Sequence, residues 1–117
     1  MGLLIGLIVL LSCNDNNHKV SIFNNITHPQ VEFGLTELNK ALIQKGFTVD
    51  MADQPKADII LSVDSTHKNL KQEGFDLQKE GKIIKLIAYD ATGLLYGALE
   101  LAEQIETKRL DQIEASL

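Results

Sequence analysis

Residues 73–105 read EGFDLQKEGKIIKLIAYDATGLLYGALELAEQI, and their pattern predicts two strands followed by a helix. Its early part, FDLQKE, alternates apolar and polar side chains, which is typical of a half-buried strand. Glu80 and Gly81 predict a two-residue hairpin loop, because glycine tolerates the positive φ that such loops require. Residues 82–89 then predict the returning strand, and residues 94–106 predict a helix. The order is strand, hairpin, strand, helix.

The residues before this stretch predict three more strands and one more helix. Strands are expected at 19–23, at 47–51 and at 57–63, where the continuous apolar run ADIILSV indicates a central strand buried on both faces. Thr27, followed three residues later by Gln30, is typical of a capping box at the start of a helix. The apolar stripe of that helix consists of Val31, Leu35, Leu38 and Leu42. The predicted fold is α+β, a mixed sheet of about five strands with two helices packed on one face.

The composition favours a single globular domain. The chain has 117 residues and a net charge of −5, and only 5% of its residues are aromatic. A nucleic-acid partner is not expected, because such proteins present basic patches or aromatic stacking surfaces. One cysteine is present, so no disulfide can form within the chain.

The N-terminal segment predicts an export signal. Residues 3–11 are an uncharged apolar run, too short to span a membrane and of the length of a signal-peptide core. The sequence Leu10-Leu11-Ser12-Cys13 resembles the lipobox of bacterial lipoproteins, although no lysine or arginine precedes it. This resemblance implies that residues 1–12 are a lipoprotein signal peptide, that Cys13 is lipidated, and that 13–18 are a tether. The expected location is the cell envelope, with a lipid anchor in the membrane and the domain facing the periplasm or the cell surface.

The predicted second helix is more apolar than its own sheet requires. On a helical wheel its apolar residues span an arc of about 160°, whereas a surface helix needs about 100°. These residues are Leu94, Leu95, Ala98, Leu99, Leu101, Ala102 and Ile105. We therefore predict a second contact surface for this helix, a partner interface formed by Leu95, Tyr96 and Leu99. Tyr96 and Phe33 also provide aromatic rings on which a sugar could stack.

The sequence contains no recognisable catalytic or metal-binding motif. His18, His28 and His67 are far apart and are expected to be solvated surface residues, so no metal site and no cofactor are predicted. A glycosidase needs two carboxyl groups about 5–10 Å apart. The pairs Glu73 with Asp76 and Asp64 with Asp90 are candidates for this role, but nothing in their spacing supports either, so no catalytic residue is assigned.

The stretch quoted above resembles a non-catalytic domain that precedes the barrel of certain glycoside hydrolases. The relevant elements are Glu73-Gly74-Phe75, then Asp90, Gly93 and Tyr96-Gly97, and finally Leu101-Ala102-Glu103. They resemble the zincin-like N-terminal domain of family 67 α-glucuronidases and the similar domain of family 20 β-N-acetylhexosaminidases. Despite the fold name, the resemblance implies no zinc, because the second helix has no histidine and no H-E-x-x-H motif.

The resemblance covers residues 19–106 and implies an accessory domain of a polysaccharide-degrading enzyme. Residues 107–117 would be a linker or truncated tail. The catalytic carboxylates of such hydrolases lie in a (β/α)₈ barrel of about 250 residues, which 117 residues cannot contain. The expected partners are therefore that barrel or another protein, the membrane through the lipid anchor, and a carbohydrate as a further candidate.

Two other interpretations remain open from the sequence. The chain can be a stand-alone surface lipoprotein that binds a glycan or a protein. A complete small enzyme is a third possibility, although no carboxylate pair supports it.

Overall fold

The computed structural model describes residues 19–108, which form seven elements. The strands are β1 (Lys19–Phe23), β2 (Thr48–Ala52), β3 (Ile59–Val63), β4 (Phe75–Glu80) and β5 (Ile83–Ala88). The helices are α1 (Pro29–Gln44) and α2 (Ala91–Thr107). The predicted signal peptide, the tether and residues 109–117 lie outside the described residues.

The five strands form one mixed sheet in the order β2-β1-β3-β5-β4. β1 pairs in parallel with β2 and β3, β3 pairs in parallel with β5, and the β4–β5 hairpin is antiparallel. α1 is the crossover between the parallel strands β1 and β2, as expected for a strand, helix, strand unit. The predicted α+β fold, with five strands and two helices against the sheet, is confirmed.

The hydrophobic core lies between the two helices and one face of the sheet. The register places Ile22 beside Ile59 and Ile59 beside Ile84, so buried side chains of neighbouring strands share this face. Leu38 from α1 and Leu101 from α2 close the core from the other side, and both are fully buried. Each such leucine contributes about 1.5–3 kcal/mol by leaving water.

The face of the sheet opposite the helices, called the open face below, is covered only in part. β3 is the middle strand, yet its residues alternate between buried and partly exposed. The prediction that 57–63 is buried on both faces is therefore wrong. Ile60 and Ser62 point to the open face and are only partly buried, because the described chain places no helix there.

Several boundaries differ from the predictions, and α2 begins at Ala91 rather than at Leu94. His28, not Thr27, caps α1, since its Nδ1 accepts the backbone N–H of Gln30 at 3.1 Å. The hairpin loop is Gly81 and Lys82 rather than Glu80 and Gly81, because Glu80 still pairs with Ile83. Gly81 has φ +62° at the first loop position, a conformation in which glycine is favoured.

Gly97 brings α2 close to the sheet. A Cβ at this position would lie 2.3 Å from Cδ1 of Leu86 on β5, which is fully buried. A side chain there would force the helix or Leu86 to move. The absence of a side chain at Gly97 therefore allows the close approach of α2 to β5.

Candidate functional site

A loop at residues 64–74 crosses the end of β5 and is the most irregular part of the described chain. It must cross because β5 lies between β3 and β4 in the sheet. Lys68 and Glu73 have φ of +50° and +65°, the only positive values among non-glycine residues in 19–108. Such conformations cost about 1–3 kcal/mol each and often mark functional sites.

Asp90 joins this crossing loop to the start of α2. One carboxylate oxygen accepts the N–H of Gly93 at 2.8 Å and caps the helix, and the other accepts the N–H of Glu73 at 3.2 Å. Tyr89 donates its N–H to the carbonyl of Gly74 at 3.0 Å. The residues that carry the glycoside-hydrolase resemblance therefore meet in one structural unit. Both oxygens of Asp90 have structural roles here.

Asp76 is the most buried charged residue of the described chain, with 2% of its surface exposed. It lies on β4, opposite Ile87 in the register, and its side chain points to the open face. Three donors surround its Oδ2: Nε2 of His67 at 2.8 Å, Nζ of Lys68 at 3.1 Å and Nε2 of Gln78 at 2.8 Å. These four residues are called the Asp76 cluster.

The cluster keeps Asp76 ionised. Burial alone would raise the pKa of this carboxyl, but the hydrogen bonds from His67, Lys68 and Gln78, together with the charge of Lys68, outweigh burial and lower the pKa below its ordinary value. The carboxylate nevertheless has an unpartnered oxygen, because Oδ1 is buried and has no hydrogen-bond partner. A buried, unpaired acceptor is costly, by about 1–3 kcal/mol or more for a charged group.

A small pocket adjoins the cluster. Its volume is about 210 Å³, and it is lined by Lys68, Asn69, Leu70 and Asp76. The pocket thus combines a cation, an amide, an apolar wall and a carboxylate. It is smaller than the pockets that take drug-sized ligands, about 300–1,000 Å³, so it suits a single small unit.

The Asp76 cluster was not predicted from the sequence. His67 was expected to be a solvated surface residue and Asp76 an exposed strand residue, and both expectations are wrong. His67 is partly buried against Asp76, nine residues further along the chain. Their contact depends on the path of the crossing loop, which no local pattern in the sequence specifies.

The cluster makes stability depend on pH. Because the folded-state pKa of Asp76 is lowered, its contribution is fully present above the unfolded pKa of about 3.9 and is lost as pH falls through the folded pKa. We expect Asp76→Asn to lower the free energy of unfolding by about 1–3 kcal/mol at pH 7. The difference from wild type should shrink toward pH 3. Denaturant titrations from pH 3 to pH 7 measure it.

Asp64→Asn is the control for this experiment. The pKa of Asp64 is also lowered, chiefly by the hydroxyl of Thr66 at 2.6 Å, but Asp64 is fully exposed. Its replacement should change stability much less than that of Asp76. A deficit of Asp76→Asn that is equally large at pH 3 and pH 7 would show that the loss comes from packing rather than from the carboxylate charge.

The two carboxylate pairs considered as catalytic groups show no catalytic arrangement. Asp76 faces His67 and Lys68 rather than Glu73, and Glu73 is exposed. Asp64 bonds to Thr66, and Asp90 bonds to the backbone of the crossing loop and of α2. Within residues 19–108 no group of three or more metal-ligating side chains is found.

The predicted partner interface lies on the outer side of the helix pair. Leu95 and Leu99 are partly exposed and Tyr96 is 45% exposed. On α1, Phe33 is 56% exposed and precedes Gly34, where an added Cβ would lie 3.5 Å from Cα of Leu95. Leu95 therefore lies where α1 and α2 touch. Phe33, Leu95, Tyr96 and Leu99 together are called the outer helical face.

The wide apolar arc of α2 now has a partial explanation. α1 packs against one side of α2, where Leu95 contacts the Gly34 region of α1. Leu99 in the rest of the arc is not fully covered by the described chain. The prediction that a partner covers this surface of α2 stays a prediction.

Lipidation of Cys13 also stays a prediction, because Cys13 lies outside the described residues. Among the described helices, none has the length and apolarity to cross a membrane.

Comparison with known proteins shows that this fold is similar to part of a carbohydrate-active enzyme. No protein-family profile matches the sequence, and no curated protein matches it. Among solved structures, the chain is similar to a GH138 enzyme targeting pectin rhamnogalacturonan II, with a TM-score of 0.69 and 27% sequence identity. The match covers 84% of this chain and 15% of that chain.

The similarity defines the class of the domain. The α+β unit at residues 19–108 is a glycoside hydrolase-related domain, similar to part of a GH138 enzyme. The chain spans only 15% of the length of that enzyme.

Proposed function

We propose that residues 19–106 are the N-terminal, non-catalytic accessory domain of a lipid-anchored glycoside hydrolase that degrades polysaccharide. The main support is the match to a fraction of a much larger glycoside hydrolase. A second support is the assembly of Glu73-Gly74, Asp90 and Gly93 into one unit, since these residues also carry the resemblance to family 67 and family 20 accessory domains.

The partner of this domain is the catalytic barrel of the same enzyme. Phe33, Leu95, Tyr96 and Leu99 supply an apolar surface on α1 and α2, and fully buried interface cores are rich in such aliphatic and aromatic residues. In this proposal the domain supports the barrel and does no chemistry, because Asp76 and Asp90 are already held by structural donors. Cys13 holds the whole enzyme in the cell envelope.

The size of the native protein tests this proposal. An antibody raised against residues 19–108 should detect, in cells that express the natural gene, a polypeptide far larger than the 12.9 kDa of this chain. Peptide mass spectrometry of that band should identify a barrel-sized glycoside hydrolase segment. A single species no larger than this chain would contradict the proposal and favour a stand-alone lipoprotein.

The same immunoprecipitated band tests the anchor. Cells grown with an alkyne-tagged fatty acid should label the native protein, and Cys13→Ala should abolish the label without changing the amount of protein in total extract. Equal labelling of wild type and Cys13→Ala would remove the assignment of Cys13 as the lipidated residue.

A further inference from the structure

The two helices run in the same direction, so their C-terminal ends lie side by side. Near the helix starts, the hydroxyl of Thr92 donates to Oε1 of Gln30 at 2.9 Å. Further along, a Cβ at Gly34 would lie 3.0 Å from that of Ala98. Near the helix ends, a pocket of about 320 Å³ is lined by Ala41, Gln44, Lys45 and Glu106. Because the C-terminus of a helix carries about half a negative charge, two negative ends meet at this end of the domain.

The C-terminal half of α2 adds three carboxylates to this end. Glu100, Glu103 and Glu106 follow at a spacing of three residues, which makes them neighbours on the helix surface. Gln104 donates to Glu100 at 3.0 Å, but no ion pair within residues 19–108 includes any of the three. The last turn of α2 contains no basic residue. Like charges at this spacing and at a helix C-terminus destabilise the helix. These three residues are called the acidic strip.

The acidic strip adjoins the outer helical face. Glu103 lies four residues after Leu99, and Glu100 lies four residues after Tyr96, so each pair shares one side of α2. Tyr96 and Leu99 are both at least partly exposed. The outward surface of α2 is therefore apolar in its first half and acidic in its second half.

The charge of the strip decides among the possible partners of this surface. A symmetric dimer through this face would bring two acidic strips into one interface, where like charges repel. The anionic surface of a membrane would repel the strip as well. Cations of α1 do not neutralise it, because Lys40 pairs with Glu37 at 3.2 Å and Lys45 forms no ion pair within residues 19–108. The strip fits a partner with a basic surface.

We propose that the catalytic barrel presents an apolar centre to the outer helical face and lysine or arginine side chains to the acidic strip. This inference rests on the proposed function, which supplies the barrel as the partner. Complementary charges fix the register in which two surfaces dock. The pocket between the helix ends has room for one basic side chain beside Glu106, with the amide oxygen of Gln44 as a further acceptor. The acidic strip thus orients the domain on the barrel.

Glu103→Lys tests the strip in two settings. In this chain alone, the change converts two like-charge pairs, with Glu100 and with Glu106, into opposite-charge pairs. We expect the melting temperature to rise by about 4 °C or more. In the native enzyme, the new lysine meets the basic side chains of the barrel. Thermolysin should then release the domain, detected with the antibody against residues 19–108, about tenfold faster than from wild type.

Asp50→Lys is the matched control, because it makes the same change of charge at an exposed position of β2, away from the helices. It should leave the rate of release from the native enzyme within about twofold of wild type.

Three results would overturn the proposal. A lower melting temperature of the Glu103→Lys chain would show that the domain itself uses this carboxylate. An unchanged rate of release from the native enzyme would show that no basic surface meets the strip. Sedimentation of this chain as a dimer that Leu99→Asp dissociates would assign the face to a second copy. Failure of the proposed function is seen separately, as a native polypeptide no larger than this chain, before any variant is made.

Discussion

Replacing Leu38 by Asp should unfold the domain, whereas replacing Leu99 by Asp should leave it folded. Leu38 on α1 is fully buried in the core, and Leu99 on α2 is partly exposed. Truncation of a buried leucine costs about 2–5 kcal/mol, and a buried, unpaired charge adds several more. This sum approaches the whole stability of a typical domain, about 5–15 kcal/mol.

Leu99→Asp meets a different environment. Its carboxylate can reach water at the outer helical face, so the expected loss is about 1–2 kcal/mol from helix propensity and partial burial. Thermal and denaturant unfolding followed by circular dichroism compare the two variants. Leu38→Ala and Leu99→Ala are the matched controls, since they remove the side chains without adding charge.

The comparison also bears on the proposed function. If Leu99→Asp leaves the isolated domain folded but prevents its binding to the barrel, then Leu99 belongs to an interface between the two domains. Equal unfolding by Leu38→Asp and Leu99→Asp would mean that the outer helical face is needed within the domain itself. In that case the excess apolar surface of α2 would be explained by α1 alone.

The elements with strong periodicity were predictable from the sequence. The stripe at Val31, Leu35, Leu38 and Leu42 predicted α1, and the alternation in FDLQKE predicted β4. Errors in the elements themselves were confined to boundaries: the cap moved from Thr27 to His28, and the hairpin loop moved by one residue. Such shifts arise because several neighbouring polar residues can each cap a helix or occupy a turn.

The candidate site could not be predicted in the same way. His67, Lys68 and Asp76 meet only because the chain crosses β5 between β3 and β4. That crossing follows from the strand order, which is a long-range property of the fold. The surrounding residues are polar and without period, so local reasoning places them in a solvated loop. The burial of Asp76 follows from the loop above it, not from its own neighbours in sequence.

The role of Gly93 is a further case in which the fold, not local conformation, determines the residue. Glycine often permits a sharp turn, but the φ of Gly93 is not positive and the residue lies within the first turn of α2. The requirement is space. A Cβ at Gly93 would lie 2.3 Å from the carbonyl oxygen of Gly74, which belongs to the crossing loop.

Gly93→Val should therefore destabilise the domain strongly. Two branched methyl groups would displace the Gly74 carbonyl, which accepts the N–H of Tyr89, and disturb the Asp90 contact with Glu73. We expect the free energy of unfolding to fall by about 3 kcal/mol or more, which is at the upper end of the cost of overpacking a core. Denaturant unfolding at pH 7 measures the loss.

Glu103→Val is the control for Gly93→Val, because Glu103 is an exposed position of the same helix. It reports the helix propensity of valine without a steric contact, an effect below about 1 kcal/mol. Losses of similar size for both variants would mean that the loop yields to a side chain at Gly93. A much larger loss for Gly93→Val, together with altered amide signals at Glu73 and Tyr89, would establish that α2 and the crossing loop are held together through this contact. The Asp76 pocket would then be affected as well, since Lys68 and Asn69 belong to the same loop.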